Sequence, residues 1–202
     1  RRLRAAGAAP DTRAKADLIR AFGAAAARCS GEADSERERL LAHAWRILRE
    51  APGPRGGVPT EVFNALVEAY CACGLPEHAE AVLGMGQELG CAPDEESFAI
   101  VLEALRPEPR RFRALWGRLL GNTAAQPTPA MLRMALEVAA EAEDARWAVS
   151  LLELLFAAKA APSATAMGAL RGLPLGPTAT AVRQLLRALE QQGLAPREAE
   201  GG

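Results

Sequence analysis

Apolar residues recur along this chain with the spacing of a helix face, broken at intervals by glycine and proline. Phe63, Leu66, Val67 and Tyr70 stand at i, i+3, i+4 and i+7, and Ala79, Val82, Leu83 and Gly86 repeat that spacing beyond Gly74-Leu75-Pro76. This predicts two amphipathic helices joined by a tight turn. Similar stripes follow: Phe112, Leu115, Trp116 and Leu119; Ala148, Leu151, Leu152 and Leu155; Val182, Leu185, Leu186 and Leu189. Earlier in the chain, Leu18, Ile19 and Phe22 predict one helix, and Leu41, Ala44, Trp45 and Leu48 another. Strand formers are sparse and no alternating apolar–polar run stands out, so the expected class is all-α.

The breaks themselves repeat. Gly7-Ala8-Ala9-Pro10-Asp11, Gly90-Cys91-Ala92-Pro93-Asp94, Lys159-Ala160-Ala161-Pro162-Ser163 and Gly193-Leu194-Ala195-Pro196-Arg197 share one shape. A glycine followed three residues later by proline ends a helix and blocks its continuation, and a small polar residue after the proline can cap the next. The resulting units are Thr60–Asp94, Glu95–Thr128, Pro129–Ser163 and Ala164–Arg197, of nearly constant length. Thr12–Pro59 is a longer unit, with extra residues near Ser30–Ser35 and in the Gly/Pro-rich Ala51–Pro59. Arg1–Asp11 reads as the end of a preceding unit, which implies a longer protein; an arginine-rich targeting peptide is the other reading of this segment. Glu198–Gly202 reads as a short tail. One helix pair cannot bury its own apolar faces, whereas stacked pairs bury a continuous core. The pattern therefore predicts an α-solenoid, one continuous domain of stacked helix-turn-helix repeats.

Composition narrows the functions. The 202 residues are 50% hydrophobic and 24% charged, enough apolar material for a core and too much for a disordered chain. No run approaches a membrane span, so no membrane insertion is expected. Four cysteines are too few for a disulfide framework and read as reduced thiols, and two histidines exclude a multi-histidine metal centre. With 24 Lys+Arg against 25 Asp+Glu, bulk charge gives no argument for nucleic acid. The alanine-rich composition favours helix and close helix approach.

The unit Thr60–Asp94 resembles a pentatricopeptide repeat. Phe63-Asn64-Ala65-Leu66-Val67 is similar to the family's opening Tyr-Asn-x-Leu-Ile, and Tyr70-Cys71-Ala72-Cys73-Gly74 to its Tyr-Cys-x-x-Gly. Ala79 falls on the family's central alanine, and Gly90-x-x-Pro93-Asp94 is its ending. Asp11–Pro59 and Glu95–Arg197 resemble it more loosely, mainly through Ala148, Leu151, Leu152, Pro162 and Pro196. Tetratricopeptide repeats have a similar length and central alanine but lack that ending. The resemblance implies a right-handed superhelix that binds single-stranded RNA, about one base per repeat.

In the family, the fifth and last residues of a repeat choose the base. The resemblance thus implies a base-reading pair in Asn64 and Asp94, which the family's code assigns to uridine. The corresponding pairs Ala99 with Thr128, Arg133 with Ser163, and Gly168 with Arg197 are poorly coded. Where the family places an aliphatic residue beside each base, this chain has Glu61, Glu96, Ala130 and Thr165. Where it often places a phosphate-binding lysine, this chain has Ala72, Pro107, Glu141 and Gly176. The reading that needs no ligand makes Asp94 a helix cap and Asn64 a polar residue on an exposed helix face.

Thr60–Asp94 has no Lys or Arg, but it carries Glu61, Glu68, Glu77, Glu80, Glu88 and Asp94, a poor surface for a phosphate backbone. Candidate phosphate contacts are Arg110, Arg111, Arg113 and Arg118, with Arg106 just before them and Arg1, Arg2 and Arg4 as a second cluster. The alternative is a solvated arginine face paired with acids of neighbouring repeats.

Catalytic chemistry is not evident. Gly84-Met85-Gly86-Gln87-Glu88-Leu89-Gly90 has its third glycine one residue late for a dinucleotide loop, follows no strand, and reads as a helix with a thinned packing surface and C-cap. Cys71 and Cys73 on one helix point roughly 200° apart, and no four-ligand metal site assembles. His43 and His78 read as boundary residues. The sequence thus predicts a non-catalytic pentatricopeptide scaffold without cofactor, metal or small-molecule substrate. Its expected partners are RNA, ribosomal or an organellar transcript, and proteins of a large organellar complex, mitochondrial rather than plastid. A sequence-specific RNA factor and a purely protein-binding scaffold are the alternatives.

Overall fold

The computed structural model describes residues 11–29, 34–51, 56–172 and 177–194, and these form ten α-helices and no strand. Arg1, Arg2, Arg4, Gly7, Ser30, Gly176, Pro196, Arg197 and the tail 198–202 lie outside the described residues. In order the helices are α1 (Thr12–Ala27), α2 (Asp34–Arg49), α3 (Thr60–Ala72), α4 (Pro76–Gly84), α5 (Glu95–Ala104), α6 (Pro109–Leu120), α7 (Pro129–Glu141), α8 (Ala145–Ala157), α9 (Ala164–Arg171) and α10 (Pro177–Gln191).

The punctuation in the sequence acts at atomic level. Asp11, Asp94 and Ser163, each following a proline, cap α1, α5 and α9: their side chains accept the backbone N–H of Ala14, Ser97 and Ala166. Thr128 and Asp144 cap α7 and α8 in the same way. Such contacts satisfy backbone donors that have no partner within the helix. At the other ends, Gly90 and Gly193 take positive φ angles of 64° and 71°, and Lys159, in the equivalent place, takes 51°. Glycine enters this left-handed region without penalty; lysine does not.

The chain divides into two compact units, one of residues up to 107 with Arg111–Gln126, the other of Glu108–Arg110 and the residues from Pro127. In the first, α1, α3 and α5 pack successively side by side, α2 packs on α1 and α3, and α4 on α3 and α5. In the second, α7 packs on α8 and α9, while α10 packs on α8 and α9. Each unit is therefore built of stacked helix pairs, the helical-repeat class that the stripes predict.

Most of the predicted stripes are buried: Phe63, Leu66, Val67 and Tyr70 on α3; Phe112, Leu115, Trp116 and Leu119 on α6; Ala148, Leu151, Leu152 and Leu155 on α8. Tyr70 also accepts a hydrogen bond at 2.6 Å from the Trp45 indole N–H, and His78 stacks on its ring, so α2, α3 and α4 share one aromatic node.

Two local expectations need correction. On α1 the buried face is Ala16, Ile19, Gly23 and Ala26, while Leu18 is 42% exposed and Phe22 half-buried. The reason is close approach: a Cβ on Gly23 would lie 2.5 Å from the Ala69 Cβ, so α1 presents small residues to α3 and larger ones fall at the edge. The segment Gly84–Gly90 is also not one helix, because α4 stops at Gly84 and turns follow. There Gly86 is buried so tightly that a Cβ would stand 2.7 Å from the Cys91 carbonyl oxygen and 2.8 Å from Pro93.

Candidate nucleic-acid interface

Asn64 sits on α3 and Asp94 at the start of α5, and the stacking of those two helices brings the pair together. The Asn64 Nδ2 donates to Asp94 Oδ1 at 3.3 Å and to Glu96 Oε2 at 3.3 Å. Asn64 Oδ1 accepts the Ser97 hydroxyl at 2.6 Å, and the same hydroxyl lies 2.9 Å from Asp94 Oδ1. Ser97 has one hydroxyl proton, so these two acceptors share it. The backbone N–H of Ser97 donates to Asp94 Oδ1 at 2.9 Å and that of Asp94 to Ser97 Oγ at 3.1 Å, a reciprocal capping box.

The network is internal. Asn64 is 2% exposed and Ser97 0%, and they are the only buried polar side chains among the described residues. The expectation of an exposed Asn64 is therefore overturned: apolar neighbours Phe63, Leu66 and Val67 on the same helix draw its side chain under α5, where only full hydrogen bonding compensates its lost hydration. Asp94 is the helix cap it was expected to be. Burial pulls its carboxyl upward in pKa, but the Ser97 N–H, the Ser97 hydroxyl and the Asn64 amide outweigh that and hold it below the usual carboxylate range. Glu96, exposed, closes the solvent side. A base approaching Asn64 would have to displace this carboxylate. Ser97 escaped the sequence reading, and Glu96 was singled out only as a departure from the family's aliphatic position; the Asp94-x-x-Ser97 spacing of a capping box was the available signal for Ser97.

The four arginines of α6 lie on its solvent side, opposite the stripe from Phe112 to Leu119. Arg111 and Arg118 are roughly 20° apart around the helix. Arg111 is paired with Glu80 of α4, its Nε donating to Oε1 at 3.1 Å. Arg110, Arg113 and Arg118 are exposed. Arg118 stands at an open cavity of about 490 Å³, lined also by Leu83, Gly84, Gln87, Phe98 and Asn122. Elsewhere in the unit Arg20 of α1 pairs with Glu68 of α3, Nε to Oε2 at 2.6 Å. Both pairs join neighbouring helix pairs and use acids of the segment that has no Lys or Arg of its own.

Catalytic groups are poorly served. Burial, and then the nearby Glu68, pushes the Cys71 thiol up to about 11, and burial also raises Cys73 and Cys91, so these thiols are protonated near neutral pH. His78 Nδ1 lies 3.2 Å from Glu77, and His43 packs against Phe22. Among the described residues no group of three or more His, Cys, Asp or Glu could hold a metal ion, and no helix is long and apolar enough to cross a membrane.

No family model matches the sequence. No curated protein matches it either. Solved structures do resemble the fold. The crystal structure of nuclear proteinaceous RNase P 2 (PRORP2) from A. thaliana superposes with a TM-score of 0.59 at 12% identity, covering 87% of this chain and 36% of that one. The pentatricopeptide repeat protein PPR10 from maize gives 0.55 at 13% identity, covering 95% of this chain and 24% of that one. PPR10 in complex with an 18-nt psaJ RNA element gives 0.54 at 22% identity, covering 94% and 26%. The chain thus spans between about a quarter and about a third of these proteins. Its class is the α-helical repeat. More specifically, it has the fold of pentatricopeptide repeat proteins.

Proposed function

We propose that this chain is a non-catalytic, RNA-binding helical-repeat scaffold of an organellar ribonucleoprotein, a mitochondrial ribosome or an RNA-processing or translation complex. It holds RNA through shape and arginine contacts and reads few bases. The observation that carries this reading is the closed Asn64 network: on a fold shared with a protein solved in complex with RNA, the best base-reading pair has its hydrogen-bonding edges occupied by Ser97 and Glu96. Arg110, Arg113 and Arg118, exposed on α6, are the proposed phosphate contacts.

Fluorescence anisotropy with oligouridine, oligoadenine and a folded ribosomal-type hairpin tests it. Similar affinities for the single strands, together with loss on replacing Arg110, Arg113 and Arg118 by glutamine, are expected. Tight and selective capture of one short single strand would overturn the reading. It would favour the second one, a uridine-preferring factor, which the 3.3 Å proximity of Asn64 and Asp94 supports. Asn64→Ala would then change preference at one base. Absence of any RNA capture, with proteins retained in a native pull-down after ribonuclease, would leave a protein scaffold.

A further inference from the structure

The open cavity of about 490 Å³ at Arg118 lies within the first compact unit, walled by α4, α5, α6 and the segment after α6. Leu83 and Phe98, both buried, give it an apolar side. Its polar groups include the Arg118 guanidinium and two carboxamides, Gln87 in the turn after α4 and Asn122 just beyond α6. Arg118, unlike Arg111 on the same helix, has no hydrogen bond or ion pair among the described residues, and neither has the Gln87 carboxamide. Asn122 is half engaged, its Oδ1 accepting the Ala124 N–H at 2.7 Å. Facing Arg118, α4 ends on a residue without a side chain: a Cβ on Gly84 would meet nothing closer than Arg118 Nη2, at 3.9 Å. Gly84 thus keeps the space open, and a larger side chain there would fill it.

We infer that this cavity takes one unpaired adenosine nucleotide of an RNA, with its phosphate on Arg118 and its base between the apolar side and Gln87. The inference rests on the RNA-scaffold reading and names what Arg118 holds. An unengaged guanidinium presents a planar pair of donors that matches phosphate oxygens. An unstacked base is flat and apolar on its faces and polar at its edge, and bases of loops and bulges splay out of folded RNA to meet such surroundings. Leu83 and Phe98 serve the face and the carboxamide serves the edge. A glutamine offers one donor and one acceptor, which match N7 and the N6 amino group of adenine. Guanine presents two acceptors there, which suit arginine or lysine instead. The volume falls in the range of about 300–1,000 Å³ that small-ligand cavities occupy. Neither Asn64 nor Asp94 lines the cavity, so this contact is independent of their closed network.

Anisotropy of the full chain with three labelled hairpins tests the inference: one fully paired, one with a single bulged adenosine, one with a bulged guanosine. The bulged adenosine binds about tenfold more tightly than the paired hairpin and several-fold more tightly than the bulged guanosine. Gly84→Leu, which fills the cavity and keeps every arginine, brings the bulged adenosine down to the paired level with an unchanged circular dichroism spectrum. Gln87→Ala, at an exposed position, makes the two bulges equal and keeps the test open if Gly84→Leu unfolds. Equal affinities for all three hairpins in the unaltered chain, or a bulge preference that survives both variants, would overturn the inference. If those equal affinities are lost on replacing Arg110, Arg113 and Arg118, the scaffold reading stands while this one falls. Binding of AMP in a way sensitive to Gly84→Leu, with no hairpin captured, would keep the nucleotide cavity but remove the scaffold reading and make the ligand a free nucleotide. A peptide with a free C-terminal carboxylate that binds where neither RNA nor AMP does would make the occupant a protein and sink the inference.

Discussion

Lys159 holds a left-handed backbone conformation at the place where the equivalent repeat ends have Gly90 and Gly193. A side chain there crowds the following carbonyl, a cost of about 1–2 kcal/mol, part of which glycine returns through its greater unfolded-state freedom. Lys159→Gly should therefore raise stability by about 1 kcal/mol, read as an increased denaturant midpoint at constant slope. Asp94 sets a pH dependence. Its folded pKa lies below the unfolded one, so its stabilisation is complete above the unfolded value and is lost as pH falls through the folded value. Asp94→Asn should flatten the acid limb of a stability-against-pH curve, checked by thermal melts from neutral to acidic pH. At this scale the sequence was partly legible. Proline followed by Asp or Ser announced the caps, and the family pattern singled out Asn64 and Asp94. The burial of Asn64 was not visible, because an asparagine on a helix reads as exposed unless its partners Ser97 and Glu96, more than thirty positions away, are known.

Along the helices, glycine has opposite meanings at different sites. Gly23 faces Ala69 so closely that an added Cβ would stand 2.5 Å from the Ala69 Cβ, whereas a Cβ on Gly117 of α6 would meet nothing within 4 Å. Gly117→Ala should stabilise by up to about 1 kcal/mol through helix propensity. Gly23→Ala gains the same propensity but overpacks the α1–α3 contact, a cost of about 1–3 kcal/mol, and should be net destabilising in the same denaturation assay. The ion pair of Arg20 with Glu68 is about one-third exposed on both sides, so a double-mutant cycle should give a coupling below about 1 kcal/mol. Helix positions and most buried stripes were readable from spacing alone. The face of α1 was misread because large residues outweigh small ones in a periodicity argument, while a close interhelical contact selects Ala16, Gly23 and Ala26.

Over the whole chain, charge is nearly balanced, and acids of α3 and α4 are engaged by arginines from α1 and α6. Under the proposed role, RNA affinity draws on few exposed cations. Three phosphate contacts from Arg110, Arg113 and Arg118 imply a slope of log affinity against log salt of about −2 to −3, measurable by anisotropy between low and physiological salt. A much steeper slope would point to a larger basic surface. The helical-repeat class was legible because it follows from a repeated local pattern. The division into two compact units was not, since a stripe on one helix specifies that helix's buried face and not which neighbouring pairs close together.

The loop before α3 touches the terminator before α5 backbone to backbone: the Val58 N–H donates to the Leu89 carbonyl at 3.0 Å, and a Cβ on Gly57 would collide with the Gly90 carbonyl oxygen at 2.1 Å. This hook resets the phase of the chain just before α3. Residues can be gained or lost between α2 and this hook without shifting the frame of everything downstream. Length variation is thereby absorbed at one splice point, and the later repeats inherit a fixed starting position.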